Sequence, residues 1–102
     1  MPDTTSTQPT TAPVSPSQAI GLILRSARSL TTYSQRGLSE ALGWGEETYR
    51  RYEIGERPLD VDKLYAVAEL LEVSPLQVLQ DAESRFPQAF RSVVETSGEA
   101  IG

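Results

Sequence analysis

The chain has 102 residues, of which 38% are hydrophobic and 23% are charged, so it holds one small domain and not a large multidomain enzyme. It contains no Cys and no His, which excludes disulfides and thiolate metal sites and removes the commonest general acid or base, so we expect neither catalysis nor a cofactor. The net charge is -5, but the charge is unevenly distributed. Residues 25–57 carry six Arg against five Glu, whereas residues 58–102 carry three basic against eight acidic residues. An anionic partner is therefore expected to bind the middle of the chain.

The first part of the chain divides into a tail and a helix. Residues 1–14 are mostly Thr, Ser, Pro and Ala without periodic apolar positions, so we expect a disordered tail. Ser15 and Pro16 match an N-cap followed by a proline in the first turn, and they predict the start of helix one.

No apolar run approaches the roughly 18 residues of a membrane helix and no signal-peptide pattern opens the chain, which predicts a cytoplasmic protein.

Two short helices joined by a tight turn are predicted next. Ser34 caps helix two, which ends at Gly43 because a glycine there supplies the left-handed backbone that closes a helix. Helix three runs from about 46 to 54 and ends at Gly55. The apolar face of helix two is expected to hold Leu38, Ala41 and Leu42. Three tyrosines are expected in the core, namely Tyr49, Tyr52 and Tyr65.

The remaining residues predict two further helices and a short extension. Asp60 caps helix four, and Ser74 with Pro75 starts helix five. The buried stripe of helix four is expected at Leu64, Val67, Ala68 and Leu71, and the apolar positions of helix five are Leu76, Val78 and Leu79. After Pro87 a short C-terminal helix is predicted. The sequence thus predicts an all-α fold with a tail at 1–14, a five-helix domain at 15–83 and a helical extension at 84–102.

The segment SQRGLSEALGWGEETYRRYEIG, residues 34–55, resembles the helix-turn-helix of Cro and phage-repressor type regulators, also called the xenobiotic response element family. The resemblance covers roughly residues 18–80 and implies a compact lambda-repressor-like domain. Ser39 must be small because two helices joined by so short a turn bring their backbones close together. The positions assigned a structural role are Arg28, Ser39, Gly43, Tyr49 and Glu53, with Glu53 expected to pair with Arg28.

The resemblance further implies a sequence-specific, repressor-like transcriptional regulator, phage or bacterial, that binds double-stranded DNA as a homodimer with helix three in the major groove. No small-molecule ligand is expected. The residues expected to contact bases are Glu46, Glu47, Arg50 and Arg51, because Arg can read guanine and a carboxylate can accept from cytosine. The residues expected to contact phosphates are Gln35, Arg36, Trp44 and Thr48.

Several of these residues also have an ordinary structural interpretation. Glu46 and Glu47 suit the first turn of any helix, and either one can pair with Arg50, as Glu47 can with Arg51. Trp44 can instead cover the core. The extension either folds back over the domain or, as we expect, supplies a dimer interface through Phe86, Phe90, Val93 and Val94.

The acidic C-terminal half supports a second functional hypothesis from a different class. The chain would then be a helix-turn-helix protein-interaction module, such as an antitoxin or adaptor subunit, with little or no DNA binding. Residues 60–102 would hold a basic protein partner.

Overall fold

The computed structural model describes residues 15–91, and in this range the chain forms five α-helices and a short helical stretch at 87–91. The helices are α1 (Pro16–Ser29), α2 (Gln35–Leu42), α3 (Glu46–Glu53), α4 (Val61–Leu71) and α5 (Pro75–Arg85). No strand occurs between residues 15 and 91, and the predicted all-α fold is confirmed. The tail expected at 1–14 and two residues of the expected dimer interface, Val93 and Val94, lie outside the described residues.

Four of the five described helices begin at a side-chain cap. Each capping oxygen accepts a hydrogen bond from the backbone N–H three residues later, at 2.8–3.3 Å, which satisfies one of the donors that a helix start leaves unpaired. The four caps are the predicted ones, Ser15, Ser34, Asp60 and Ser74. The exception is α3, which follows Gly45 without a side-chain cap.

The helix ends depend on left-handed backbone at three residues. Gly43 closes α2 with φ of 78°, and Gly55 follows α3 with φ of 82°, as their places in the sequence predict. Glu72 closes α4 with φ of 59°, a conformation that costs an L-residue about 1 kcal/mol. No sequence signal marks this last turn, because nothing distinguishes Glu72 from an ordinary helical glutamate.

The core lies where α1 packs against α3, α4 and α5, and where α2 packs against α3 and α4. The predicted stripe of α4 is buried as expected. Gly21 of α1 permits a close approach of α1 to α3, because a Cβ at this position would collide with the backbone carbonyl of Glu53. The residues with no exposed surface are Ala19, Leu24, Leu38, Tyr49, Val67, Ala68 and Ala82.

The expected apolar face of α2 is wrong at one position. Ala41 is exposed, whereas Leu38 and Ser39 are buried and Leu42 is half-buried. Successive residues of a helix are rotated by about 100°, so a face centred among 38, 39 and 42 leaves residue 41 about a quarter turn away. The small Ser39 is buried in its place, with 1% of its surface exposed.

Three further apolar residues are exposed against expectation. Tyr65 is 52% exposed because the stripe of α4 that includes Leu64 and Ala68 faces the core and leaves residue 65 on the outside. In α5 the buried residues are Val78 and Ala82, which share one face. Leu76 and Leu79 fall off that face and are 63% and 36% exposed.

The extension predicted at 84–102 begins inside the last turn of α5, which ends at Arg85, and the helix is interrupted at Phe86 before Pro87. Phe86 and Phe90 are half-buried and pack against the core of their own chain, and Ala89 between them is 1% exposed. The fold-back interpretation therefore accounts for these two phenylalanines. A dimer interface in the extension stays a prediction.

Candidate nucleic-acid interface

Helix α3 has a buried inner face and a charged outer face. Its inner residues are Tyr49, Tyr52 and Glu53, all buried in the domain. The outer face consists of the four residues that the sequence predicts to contact bases, Glu46, Glu47, Arg50 and Arg51. Two opposite sets of side chains on one short helix are what a helix needs if it is to pack on one side and contact a ligand on the other.

Glu47 joins the two arginines of the outer face. Its Oε1 accepts a hydrogen bond from Arg50 Nε at 3.0 Å, and its Oε2 accepts from Arg50 Nη2 at 2.7 Å and from Arg51 Nε at 3.2 Å. The hydrogen bonds from Arg50 and then Arg51 lower the pKa of Glu47 to about 2, so the carboxylate is ionised at neutral pH. Of the partners left open by helical spacing, the structure pairs both arginines with Glu47.

A buried carboxylate holds the inner side of the motif together. Glu53, whose side chain is 1% exposed, accepts hydrogen bonds from Arg28 Nε at 2.8 Å and Arg28 Nη2 at 3.1 Å. It also accepts from Gln35 Nε2 and Tyr49 Oη, both at 2.7 Å. These four donors come from α1, α2 and α3, so one carboxylate connects three helices. We call Arg28, Gln35, Tyr49 and Glu53 the Glu53 network.

The Glu53 network is an ionised arrangement. Burial alone raises the pKa of Glu53, but the hydrogen bonds from Arg28, Gln35 and Tyr49 outweigh it and leave the pKa below its usual value. Burial and the hydrogen bond to Glu53 raise the pKa of the Tyr49 hydroxyl, which therefore stays protonated and donates. Arg28 also donates from Nη1 to the backbone carbonyl of Tyr33 at 3.3 Å, which fixes the segment before α2.

The start of α2 and the outer face of α3 meet in an open cleft of about 500 Å³. Four of the predicted DNA-contacting residues line it, namely Gln35, Arg36, Glu46 and Arg50. Arg36 also forms an exposed ion pair with Glu40, with Nε and Oε2 3.2 Å apart. The cleft brings together the first turn of α2, where backbone N–H groups favour an anion, and one edge of α3.

Four residues that line the cleft do not appear among the sequence-predicted DNA contacts, namely Arg28 and Ser34, whose structural roles are given above, and Arg25 and Ile54. Arg25 lies on α1 and has no ion pair within the described residues, and Ile54 ends α3 with 41% of its surface exposed. Arg25 precedes Arg28 by three residues and therefore lies on the same side of α1, which is the signal that could have identified it. No comparable signal marks Ile54.

The other predicted phosphate contacts, Trp44 and Thr48, do not line this cleft. Trp44 packs partly buried against the core, with its ring centroid 5.6 Å from that of Tyr52 in an edge-on arrangement and 6.4 Å from that of Tyr49. The interpretation of Trp44 as a cover over the core accounts for this position. Thr48 is half-buried in α3, and phosphate contacts by Trp44 and Thr48 stay predictions.

The structural glycine and serine lie at the crossing of α2 and α3. Gly43 adopts the left-handed backbone between the helices, and Ser39 donates a hydrogen bond to the backbone carbonyl of Arg36 at 2.8 Å. The backbone N–H of Trp44 donates to the carbonyl of Ser39 at 2.9 Å. The turn is thus closed by backbone geometry, and it holds α3 at a set angle to α2.

Residues 15–91 lack two kinds of feature. No group of three or more acidic side chains is placed to hold a metal ion. Within the same residues, no helix combines the length and apolar character needed to cross a membrane.

Comparison with known proteins agrees with this geometry. The profile of the helix-turn-helix family matches residues 24–78, more than half of the chain. A solved structure, that of the clp gene regulator ClgR from Corynebacterium glutamicum, is similar in fold, with a TM-score of 0.66 and 24% identity over 84% of this chain and 89% of that one. No curated protein matches the chain. The matched residues include the whole of α2, α3 and α4, and the chain belongs to the Cro/C1-type helix-turn-helix family of DNA-binding transcription regulators.

Proposed function

We propose that the protein is a sequence-specific transcriptional regulator that binds double-stranded DNA as a homodimer, with α3 in the major groove. The observation that carries this proposal is the Glu53 network. It fixes α1, α2 and α3 from the inside with four hydrogen bonds and leaves the outer face of α3 entirely polar. A rigid support behind an exposed polar helix is what base recognition requires, because little ordering then remains to be done on binding.

The cleft supports a division of roles among its residues. Gln35, Arg36 and the first N–H groups of α2 are suited to hold a backbone phosphate, since a helix start carries partial positive charge. Gln35 Nε2 has a second N–H beyond the one it donates to Glu53, and that N–H is available to a phosphate oxygen. Arg50 is suited to guanine, and Glu46 to the amino group of cytosine.

A dimer follows from the small number of cations. Only about four to six basic groups per subunit could reach phosphates, so a single subunit would bind weakly and two half-sites about 34 Å apart would be needed. We place the contact between subunits on the extension at 84–102 and the adjoining apolar face of α5. Leu76 and Leu79 of α5 are exposed, and burial against a second copy would remove this apolar surface from water.

The test is selection of bound sequences from a pool of random duplex DNA at low salt. We expect enrichment of a two-fold symmetric site, whose enrichment is lost in Arg50→Ala. Lys63→Ala is the matched control, because Lys63 is also a partly exposed cation in an ion pair but lies on α4, away from the cleft. A folded wild-type protein that enriches no sequence would contradict the proposal.

One observation favours the protein-interaction alternative. Arg36, Arg50 and Arg51 are each ion-paired with a glutamate of their own helix, so the cationic charge of the interface is partly neutralised. The salt dependence of binding separates the two functions. A regulator that contacts phosphates loses affinity steeply as salt rises, whereas an adaptor with an acidic partner surface shows no duplex binding at any salt concentration.

A further inference from the structure

The most specific geometry on the outer face of α3 is the contact between Glu47 and Arg50. The two carboxylate oxygens each accept one hydrogen bond from the same edge of the guanidinium, from Nε at 3.0 Å and Nη2 at 2.7 Å. This is a bidentate contact along the side of the guanidinium group. Arg50 is thereby held by two bonds in place of one, which restricts rotation of its long side chain.

The same contact leaves the far end of the Arg50 guanidinium free. The group has five N–H donors, of which Glu47 uses one on Nε and one on Nη2. Nη1 and the second N–H of Nη2 remain as a pair of donors at the end of the group. A pair of donors with this geometry fits O6 and N7 of a guanine, which are the two acceptors of that base in the major groove.

The position of Arg50 agrees with this use. Arg50 lines the cleft together with Gln35 and Arg36 of α2, whereas Glu47 does not line it. The carboxylate is therefore set behind the guanidinium with respect to the cleft. Glu47 also accepts a hydrogen bond from Arg51 Nε at 3.2 Å, so a second arginine is held on the same carboxylate.

We propose that Glu47 is a positioning residue that holds Arg50 for end-on recognition of a guanine and does not itself contact a base. The inference rests on the proposed function, since it assumes that α3 enters the major groove. It assigns different roles to the two adjacent carboxylates of α3. Glu46 lines the cleft and has no ion pair within the described residues, whereas both carboxylate oxygens of Glu47 accept hydrogen bonds from arginines.

This assignment predicts an unusual pattern of binding. An acidic residue near a polyanion weakens binding to all DNA, so its removal is expected to strengthen the affinity for any sequence. If Glu47 positions Arg50, its removal also weakens the preference for guanine, because a freed arginine can contact phosphates and other bases. Affinity and discrimination then change in opposite directions.

The experiment measures dissociation constants for the selected DNA site and for the same site with the guanine opposite Arg50 replaced, and the ratio of the two constants is the discrimination. We expect a wild-type ratio of about tenfold or more, the size typical of a bidentate contact. Glu47→Gln is expected to bind the replaced site at least as tightly as wild type and to lower the ratio by about fivefold or more.

Two further variants separate positioning from charge. Glu47→Asp keeps the charge but shortens the side chain, so we expect a lowered ratio without the general gain in affinity. Glu40→Gln is the matched control, because it frees Arg36 from a similar exposed ion pair on α2. It is expected to strengthen binding to both DNA sites equally and to leave the ratio unchanged. Thermal melting followed by circular dichroism verifies that each variant is folded.

The outcomes distinguish this inference from the proposed function. If wild-type protein shows no selective binding, the proposed function fails and the inference fails with it. If wild type is selective and Arg50→Ala is not, but Glu47→Gln keeps the full ratio, the inference alone is overturned. A Glu47→Asp variant that behaves as wild type would also overturn it, because charge without positioning would then suffice.

Discussion

The Glu53 network gives a quantitative test of what holds the helix-turn-helix together. Arg28→Ala removes two of the four hydrogen bonds to Glu53 and leaves a carboxylate that is 1% exposed without its cation. Breaking a buried ion pair in this way costs about 3–5 kcal/mol. The Arg28 side chain is 16% exposed, and water can therefore reach its place in the variant. We accordingly expect a loss near the lower end, about 3 kcal/mol in the free energy of unfolding.

The assay is urea unfolding at neutral pH and low temperature, with thermal melting as a second measurement. For a domain of this size a loss of about 3 kcal/mol corresponds to a fall in Tm of about 12–24 °C. Arg36→Ala is the control, because it breaks an ion pair whose two side chains are 75% and 67% exposed. Such a pair contributes less than about 1 kcal/mol, so this variant is expected to unfold almost as wild type does.

Equal losses in the two variants would refute the reasoning, because burial of Glu53 would then contribute nothing. Arg28→Lys provides a finer comparison. A lysine keeps the charge but lacks the planar pair of donors that Nε and Nη2 supply, so an intermediate loss is expected. A lysine variant as stable as wild type would show that charge is sufficient and that the bidentate geometry is not needed.

Four other outcomes are expected. Gly21→Ala lowers the free energy of unfolding, because the added methyl meets the backbone carbonyl of Glu53, and an unchanged urea midpoint would contradict this close approach. Ser39→Phe is expected to prevent folding, because residue 39 is 1% exposed and a phenylalanine there has no room, and a native circular dichroism melt for this variant would refute this reasoning. The pKa of Glu53 in the folded protein lies below its ordinary value of 4.5. The stability that its charge contributes is therefore present above pH 4.5 and is lost as the pH falls through the folded-state pKa. Urea midpoints measured against pH should show this loss in wild type and not in Glu53→Gln. A chain that ends at Arg91 is expected to keep the fold of residues 15–91 and to sediment as a monomer, because it lacks residues 92–102 of the proposed dimer contact. A truncated chain that still dimerises would contradict this contact.

Local signals in the sequence were enough to predict most of the helices. Ser34 and Asp60 cap helices through bonds to residues three positions away, and Gly43 ends one through its own backbone. These interactions involve neighbours along the chain, so a single sequence contains them. The left-handed Glu72 has no such signal, because its residue type is as common inside a helix as at its end.

The site was harder to predict than the fold, because its geometry depends on contacts between helices. The sequence indicated an Arg28–Glu53 pair only through the family resemblance, and it did not indicate that Gln35 donates to the same carboxylate. Helical spacing allowed Arg50 to pair with either Glu46 or Glu47, and only the structure distinguishes the two. The close approach at Gly21 was not predicted at all, since the residue it faces is 32 positions away.

The separation of α3 into two faces has a consequence for how such proteins diversify. The residues that anchor the helix to the domain, Tyr49, Tyr52 and Glu53, are distinct from the charged residues of the outer face. Glu47 pairs with Arg50 and Arg51 within the helix, and Arg51 also pairs with exposed Glu56, so these ion pairs do not involve the core. Substitutions there are expected to change the free energy of unfolding little, so under the function proposed above the preferred DNA site can change while the scaffold remains the same. Under the same proposal, two descendants of this chain would share one architecture and yet bind different DNA sites.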